Sequence, residues 1–515
     1  MTAPPTTIPV MRRTQVYLLL VGVVVGMLAA GLAVPMIFGE SVTSGPGSSS
    51  TLAAGDAGAG AAGSAADAAG AAGAGAAGAN GGAAASGGTS AAGGAIGGGG
   101  VAGSAGGGAG SVTGLTATDR GVSATTIKLG FLLLDIGTVG RLGVTVAINP
   151  AQQQAAFQSY VDDINSRGGI NGRKIQPYYR AYDVTDRDDQ IAACRELTQD
   201  RQVFAVLGGF NIVDPNLCVV EENKTPLISN ANNNPDWVFA RAGSRLITLY
   251  PRSGRMMAAT VAEMERVGLA SKRIGIMSDG LNDPGGQVAM QLQRLLEQRG
   301  HKVVYRGQLS DDISTASSQV PVEENRMQTA GGTGAEVVVF LSSNAVYGTQ
   351  FVNQANSQNY HPAYLNTDWA SNNGDTTNSN MPESYDGSLA FTFNRGYSGK
   401  KPSPVVPEAT RCRDIYNQRS GRTLAEPGNA EYGLTVGYCD VVRLFETMAT
   451  SAGPDLTRAR LIAGLDKVGL FASAAFGPGA LSSTKFDLSD VERTERWGSD
   501  CKCWHPVDAF HRPGG

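Results

Sequence analysis

The chain is short of the side chains that most catalytic sites draw on. Its 515 residues contain four histidines, at 301, 361, 505 and 511. His301 opens a surface strand and His361 precedes Pro362, so both read as loop positions. No G-x-S-x-G, H-E-x-x-H or Walker A pattern occurs, and the glycine runs have no strand before them. The sequence signatures of hydrolases, zinc proteases and nucleotide-binding loops are therefore missing. Basic charge is not in excess either: 41 Lys and Arg stand against 45 Asp and Glu, a net −4. With no basic stripe in the part that folds, nucleic acid is excluded as a partner. The expectation is a non-enzymatic, monomeric protein without cofactor or resident metal.

What the sequence has in quantity is apolar length near its start and glycine after it. Val16–Phe38 (VYLLLVGVVVGMLAAGLAVPMIF) is almost continuously apolar behind Arg12 and Arg13. At about 1.5 Å per residue, such a helix spans a ~30 Å hydrocarbon core. The arginines then hold residues 1–15 in the cytoplasm as a short tail, with 16–38 as a transmembrane anchor. A cleaved signal peptide is the other reading. Its apolar core would usually run only about 7–15 residues, but Ala30 and Ala33 before Pro35 offer a cleavage site. Gln15 and Val16 fit a twin-arginine signal poorly, and no cysteine follows the run to take a lipid. In both readings the folded part is extracytoplasmic. Residues 39–120 form a linker, of which 44–114 are almost entirely Gly, Ala and Ser. Such a composition cannot bury enough apolar surface to offset chain entropy. About 70 flexible residues reach roughly 45 Å, the length of a tether.

Six cysteines (194, 218, 412, 439, 501, 503) suit an oxidising compartment. Cys194 is expected to pair with Cys218 and Cys412 with Cys439, each pair joining a predicted helix to a nearby one. Cys501-Lys502-Cys503 before His505 leaves two readings open. A metal site would have only three ligands in one strained segment; a disulfide, internal or to another partner, is the other.

From residue 126 strands and helices alternate. IKLGFLLL (127–134) is apolar on both faces, as a buried parallel strand requires. FQSYVDDIN places Phe157, Val161 and Ile164 on one helical face. SRGGINGRKI (166–175) then supplies a glycine cap, an Asn-Gly turn and a new strand. Further strands are expected at 203–209, TPLISN, 273–279, 301–307, 336–342 and 387–393, with helices between them. The pattern predicts an α/β protein of two doubly wound, Rossmann-like lobes joined by a hinge. The first lobe is expected from 121–250 with 394–451, and the second from 251–393 with 452–515.

FQSYVDDINSRGGINGRKI, YDVTDRDDQIAACRELTQDRQVFAVLGG, TPLISNANNNPD and RIGIMSDGLNDPGG together resemble the type I periplasmic binding proteins of the leucine/isoleucine/valine-binding kind. The likeness covers roughly residues 124–450. It implies a receptor that closes on a small polar solute, such as an amino acid or amide, and hands it to an ABC transporter permease. The binding loops that this resemblance implies are Gly208–Asn211, with Gly209, Phe210 and Asn211, and Asn230–Asn233, with Asn230, Ala231, Asn232 and Asn233. The small hydroxyl residues of the family are largely replaced there by Asn and Phe. Asp283 stands where the family often has an aromatic residue, and Asp368 near its ammonium-binding carboxylate, with Trp369 beside it. These acids suit an amine-bearing ligand, and Phe210 and Trp369 could stack on one. Asp135 and Thr138, after the first strand, also face the cleft in this topology. For each residue a structural role is the alternative; for Asn230, Asn232, Asn233 and Asn234 it is a turn and a helix cap. A membrane-tethered sensor that acts through another chain is the alternative function.

Overall fold

The computed structural model describes residues 114–137, 148–232, 234–280, 284–310, 313–342, 345–370, 380–397, 399–428 and 430–514. The apolar run at 16–38 and most of the linker lie outside them. Among the described residues, no helix is long and apolar enough to cross a membrane.

The first lobe is built from β1 (Thr126–Asp135), α1 (Pro150–Ser166), β2 (Lys174–Asp183), α2 (Arg187–Arg195), β3 (Ala205–Leu207), α3 (Val213–Leu217), β4 (Leu227–Ser229), α4 (Asp236–Ala242) and β5 (Leu246–Thr248). Its strands form one parallel sheet in the order β2-β1-β3-β4-β5. Asn149 starts α1: its side chain accepts from the Gln152 amide at 2.9 Å, and the Gln152 side chain accepts from the Asn149 amide at 2.9 Å. This reciprocal cap satisfies two otherwise orphaned donors. The helix presses Phe157, Val161 and Ile164 onto the sheet, where Phe157 and Phe131 meet with ring centroids 4.9 Å apart. Burying a side chain of this size contributes about 1.5–3 kcal/mol. The reversal after α1 depends on Gly169, at φ +79°, where a Cβ would lie 2.0 Å from the Arg173 carbonyl. Arg173 itself is buried and donates to the carbonyls of Ser123, Pro454 and Thr116. The turn thereby ties the start of the folded chain to Pro454, 281 residues beyond Arg173.

The second lobe contains α5 (Ser253–Arg266), β6 (Ile274–Ser278), α6 (Pro284–Gln298), β7 (Val303–Gln308), α7 (Ile313–Thr329), β8 (Val337–Phe340), α8 (Ala345–Ser357), β9 (Ala363–Thr367) and β10 (Leu389–Thr392). Its parallel strands run β7-β6-β8-β9-β10, the order of the first sheet repeated. The chain then returns to the first lobe with α9 (Pro407–Ser420), α10 (Ala430–Ala452) and α11 (Arg458–Ala463), followed by the small antiparallel pair β11 (Gly469–Phe471) and β12 (Gly479–Leu481). Finally β13 (Arg493–Gly498) joins the second sheet antiparallel to β10, and β14 (Cys503–Pro506) pairs antiparallel with β13 at its edge.

This course differs from the expected division at 452. Leu456, Leu461, Leu465, Phe471 and Leu488 complete the first-lobe core, against Val441, Phe445 and Met448 of α10. An apolar helix face needs cover, and these short segments supply it. Only the stretch from Arg493 joins the second sheet.

The lobes are connected at three places, near 249–252, 393–396 and 489–492. Ser489 holds them together: its buried hydroxyl lies 2.9 Å from the Leu249 carbonyl and 3.2 Å from that of Gly477. The Gly477 amide donates in turn to Phe393 O at 2.7 Å. Disulfides join Cys194 to Cys218 and Cys412 to Cys439, the two expected pairs. A third, Cys501–Cys503, closes the turn between β13 and β14 and answers the metal reading of that motif.

Candidate ligand cleft

In open α/β sheets, ligands sit outside the carboxyl ends of the strands, where the order reverses. In the first lobe those ends carry Asp135, Gly208–Asn211 and Asn230–Asn232; in the second they carry Asp279, Ser342 and Asp368.

The loop after β3 is held at close quarters. A Cβ on Gly209 would stand 2.2 Å from Ser229 Oγ and 2.8 Å from Ala231 Cβ. The Gly209 carbonyl accepts from the Tyr182 hydroxyl at 2.6 Å. Beside it, the Ala231 amide donates to Ser229 Oγ at 3.0 Å, and Asn234 Nδ2 donates to Ala231 O at 3.1 Å. Both loops are thus held by backbone hydrogen bonds and close packing. Asn211 is exposed and donates to Val184 O at 2.8 Å. Asp135 is also exposed and accepts from the Gly137 amide at 2.9 Å. Asn230, at the end of β4, is half-buried.

The aromatic residues are placed otherwise than expected. Phe210 is fully buried against Tyr182, with ring centroids 4.9 Å apart. Trp369 is packed into the second-lobe core. Neither offers a face to the cleft: Phe210, after Gly208 and Gly209, and Trp369, after Asp368, are both buried in the cores of their lobes.

Asp368 is also turned inward. Its Oδ1 accepts from Thr392 Oγ1 at 2.8 Å and its Oδ2 from the Phe393 amide at 2.6 Å, so the carboxylate fastens the second crossing. Its backbone carbonyl accepts from Asn232 Nδ2, a direct bond between lobes. Nearby, burial first and then the charge of Asp368 raise the pKa of the Tyr250 hydroxyl, which stays neutral. Thr138, Asn233 and Asp283 lie outside the described residues.

Two further groups were not anticipated. Asp279, nearly buried at the end of β6, accepts from Ser342 Oγ at the end of β8. A Cβ on Gly285 would come within 2.8 Å of Asp279 Oδ2, so the start of α6 sits directly on this pair. The signal was present in RIGIMSD, where Asp279 follows an apolar strand. Asp236, on α4, accepts from the Gly254 amide at 3.2 Å and from Gln291 Nε2 at 3.0 Å, joining the lobes beside the first crossing. A groove of about 570 Å³ lies on the outer flank of the second lobe, between β7 and α7, and includes none of these residues.

Among the described residues, these strand ends present amide side chains, backbone groups and the exposed carboxylate of Asp135. Such groups can hold and orient a polar solute through both donated and accepted hydrogen bonds.

A family model described as periplasmic binding protein matches residues 126–488. A fatty acid ABC transporter substrate-binding protein from Thermomonospora curvata is similar in structure at TM-score 0.57 and 16% identity, covering 77% of this chain and 95% of that one. A solute-binding protein of an ABC transporter from Rhodopseudomonas palustris HaA2, solved with p-hydroxybenzoic acid, is similar at TM-score 0.56 and 15% identity, covering 75% and 97%. A leucine-binding protein from Thermotoga maritima is similar at TM-score 0.54 and 13% identity, covering 75% and 99%. No curated protein sequence matches the chain.

Proposed function

The chain belongs to the periplasmic binding protein family, and from that premise we propose that it is an extracytoplasmic receptor for a small polar solute, delivering it to an ABC importer without chemical change. The observation that carries this reading is the pairing of two lobes of one strand order, whose strand ends approach until Asn232 reaches Asp368. In this reading the first lobe grips the solute with Asp135, the Gly209 and Ala231 backbone, Asn211, Asn230 and Asn232. The second lobe closes over it with Asp279 and Ser342. A solute that touches both lobes stabilises the closed arrangement by its differential affinity for it. Asparagine side chains, which donate and accept together, favour an amino acid, an amide or a related compound over an apolar ligand.

Thermal unfolding of the purified protein against amino acids, amides, polyamines and aromatic acids tests the reading. A ligand at about 100 times its Kd adds about 2.7 kcal/mol to stability, a rise of a few degrees. A rise with one chemical class supports the receptor and identifies its solute; no rise with any of them refutes it. The apolar run at 16–38 and the long linker favour a second reading, a tethered sensor. Neighbouring genes for permeases and ATPases support delivery, and their absence supports the sensor.

A further inference from the structure

The third disulfide differs from the other two in its surroundings. Cys194 and Cys412 are 0% exposed, and Cys218 and Cys439 are 1% exposed, so both of those bridges lie inside the first lobe. In the third, Cys503 is also 0% exposed, but Cys501 is only half-buried and stands beside the exposed Lys502. Cys501 is thus the one cysteine of the six that meets solvent. The turn does not rest on its sulfurs. Glu495–Gly498 pair in register with Cys503–Pro506, and Trp497 packs on Trp504 and Tyr385 with ring centroids 5.6 and 5.8 Å apart. We propose that Cys501–Cys503 is a redox-active disulfide that exchanges with an external dithiol, with Cys501 as the sulfur attacked.

Two features favour exchange here. The first is access, since exposed disulfides are the labile ones and the rate depends on which sulfur a thiolate reaches. The second is charge. Lys502 adjoins Cys501, and Lys400 Nζ donates to Cys501 O at 2.7 Å and to Lys502 O at 3.4 Å. Lys401 lies 3.3 Å from Asp500, and Asp386 accepts from the Ser499 amide at 2.7 Å. Three amines against two carboxylates favour both the arrival of one thiolate and the departure of another. In the reaction, an external thiolate attacks Cys501 Sγ. The S–S bond breaks, and its electron pair leaves on Cys503 Sγ, which takes up a proton. The second thiolate of the donor then attacks its own sulfur in the mixed disulfide, and Cys501 leaves as a thiolate and is protonated. The chain gains two electrons and two protons, and the external dithiol becomes a disulfide.

Timed reduction of the folded full chain by dithiothreitol, followed by alkylation with iodoacetamide and peptide mass mapping, tests this. Label on Cys501 and Cys503 should appear roughly tenfold or more sooner than on the other four cysteines, whose buried sulfurs wait for local unfolding. Reduced thioredoxin is the second reductant: opening by it as well identifies a protein dithiol as the donor, and opening by dithiothreitol alone a small one. Lys502→Glu, at an exposed position, should slow the opening about threefold. Single substitutions separate the two sulfurs. The free thiol of Cys501 in Cys503→Ser should be alkylated on the order of tenfold faster than that of Cys503 in Cys501→Ser. Thermal melts establish that each variant is folded. Opening of all three bridges at one rate overturns the proposal, as does a Cys501–Cys503 bond that stays closed until the chain unfolds. Equal alkylation of the two single-cysteine variants overturns the assignment of Cys501.

Discussion

Replacing Asp368 separates a hinge role from a ligand role. The residue is 2% exposed, and both carboxylate oxygens are taken, by Thr392 Oγ1 and by the Phe393 amide. A hydrogen bond to a charged group contributes about 1.5–3 kcal/mol, and a buried donor left without a partner costs about 1–3 kcal/mol. Asp368→Ala strands both donors, so the expected loss is about 3–5 kcal/mol, since such terms do not add fully. Asp368→Asn is milder. The Phe393 amide cannot turn, so the new carboxamide oxygen must serve it, and the NH₂ group then meets Thr392 Oγ1. That hydroxyl already accepts from the Asn394 amide at 2.9 Å but has a second lone pair. About 1–2 kcal/mol should be lost, chiefly the charge assistance. Urea unfolding measures both losses, and titration with the solute measures affinity. The order wild type, Asn, Ala in stability, with affinity changed less than about threefold in the Asn variant, is the outcome that the hinge role requires. An Ala variant within about 0.5 kcal/mol of wild type refutes it. An Asn variant of normal stability that has lost the solute would make Asp368 a ligand contact.

Further predictions concern the loop after β3, the disulfides and a buried acid. Gly209→Ala forces a Cβ against Ser229 and Ala231, so overpacking should cost about 1–3 kcal/mol and weaken solute binding. Adding Ser229→Ala should restore part of the loss, and a Gly209→Ala melt identical to wild type would contradict the geometry. Removing Cys194–Cys218 or Cys412–Cys439, with separations of 24 and 27, should cost about 3.5 kcal/mol each by loop entropy. Removing Cys501–Cys503, with a separation of 2, should cost less than half of that, about 1.6 kcal/mol; equal losses in chemical denaturation would contradict this ranking. Glu324 is buried without a hydrogen-bond partner, and burial raises its pKa to about 6. Its carboxyl is easier to keep neutral in the fold than in the unfolded chain. The contribution is therefore full below pH ~4.5 and is lost as pH rises through about 6. Glu324→Gln should remove this pH dependence and stabilise the protein at neutral pH by about 1 kcal/mol, with solvent screening allowed for. Melts at pH 4 and pH 7.5 that move in parallel for both proteins would speak against it.

The alternation of strands and helices was readable because each segment satisfies a local rule. Ile127–Leu134 is apolar on both faces, Asn149 and Gln152 cap one another, and the glycines after Ser166 take positive φ. The disulfides at 194–218 and 412–439 were readable because neighbouring helices bring their residues together. That residues 208–211 and 230–232 follow strand ends was readable for the same reason, since a strand end is a local event. The directions of Phe210, Asp368 and Trp369 were not. Which way a strand-end side chain turns depends on what packs behind it, and Tyr182, Phe393 and the second-lobe core are distant or unmarked in sequence. The attachment of residues 452–488 to the first lobe was hidden likewise. Its short, irregular pieces have no period of their own, and only the bare face of α10 assigns them a place.

The hydroxyl of Ser489 has a mechanical consequence. Three separate strands of chain would each bend independently, and two bodies so joined could twist, slide and tilt. Ser489 touches the first connection and, through Gly477, the second, while itself belonging to the third, so the three are linked by hydrogen bonds. Independent twisting or sliding at one connection would have to break these bonds, which favours bending of the three connections together. In the proposed receptor, such coupled bending would bring the same strand ends, those of Asn232 and Asp368, face to face at each closure.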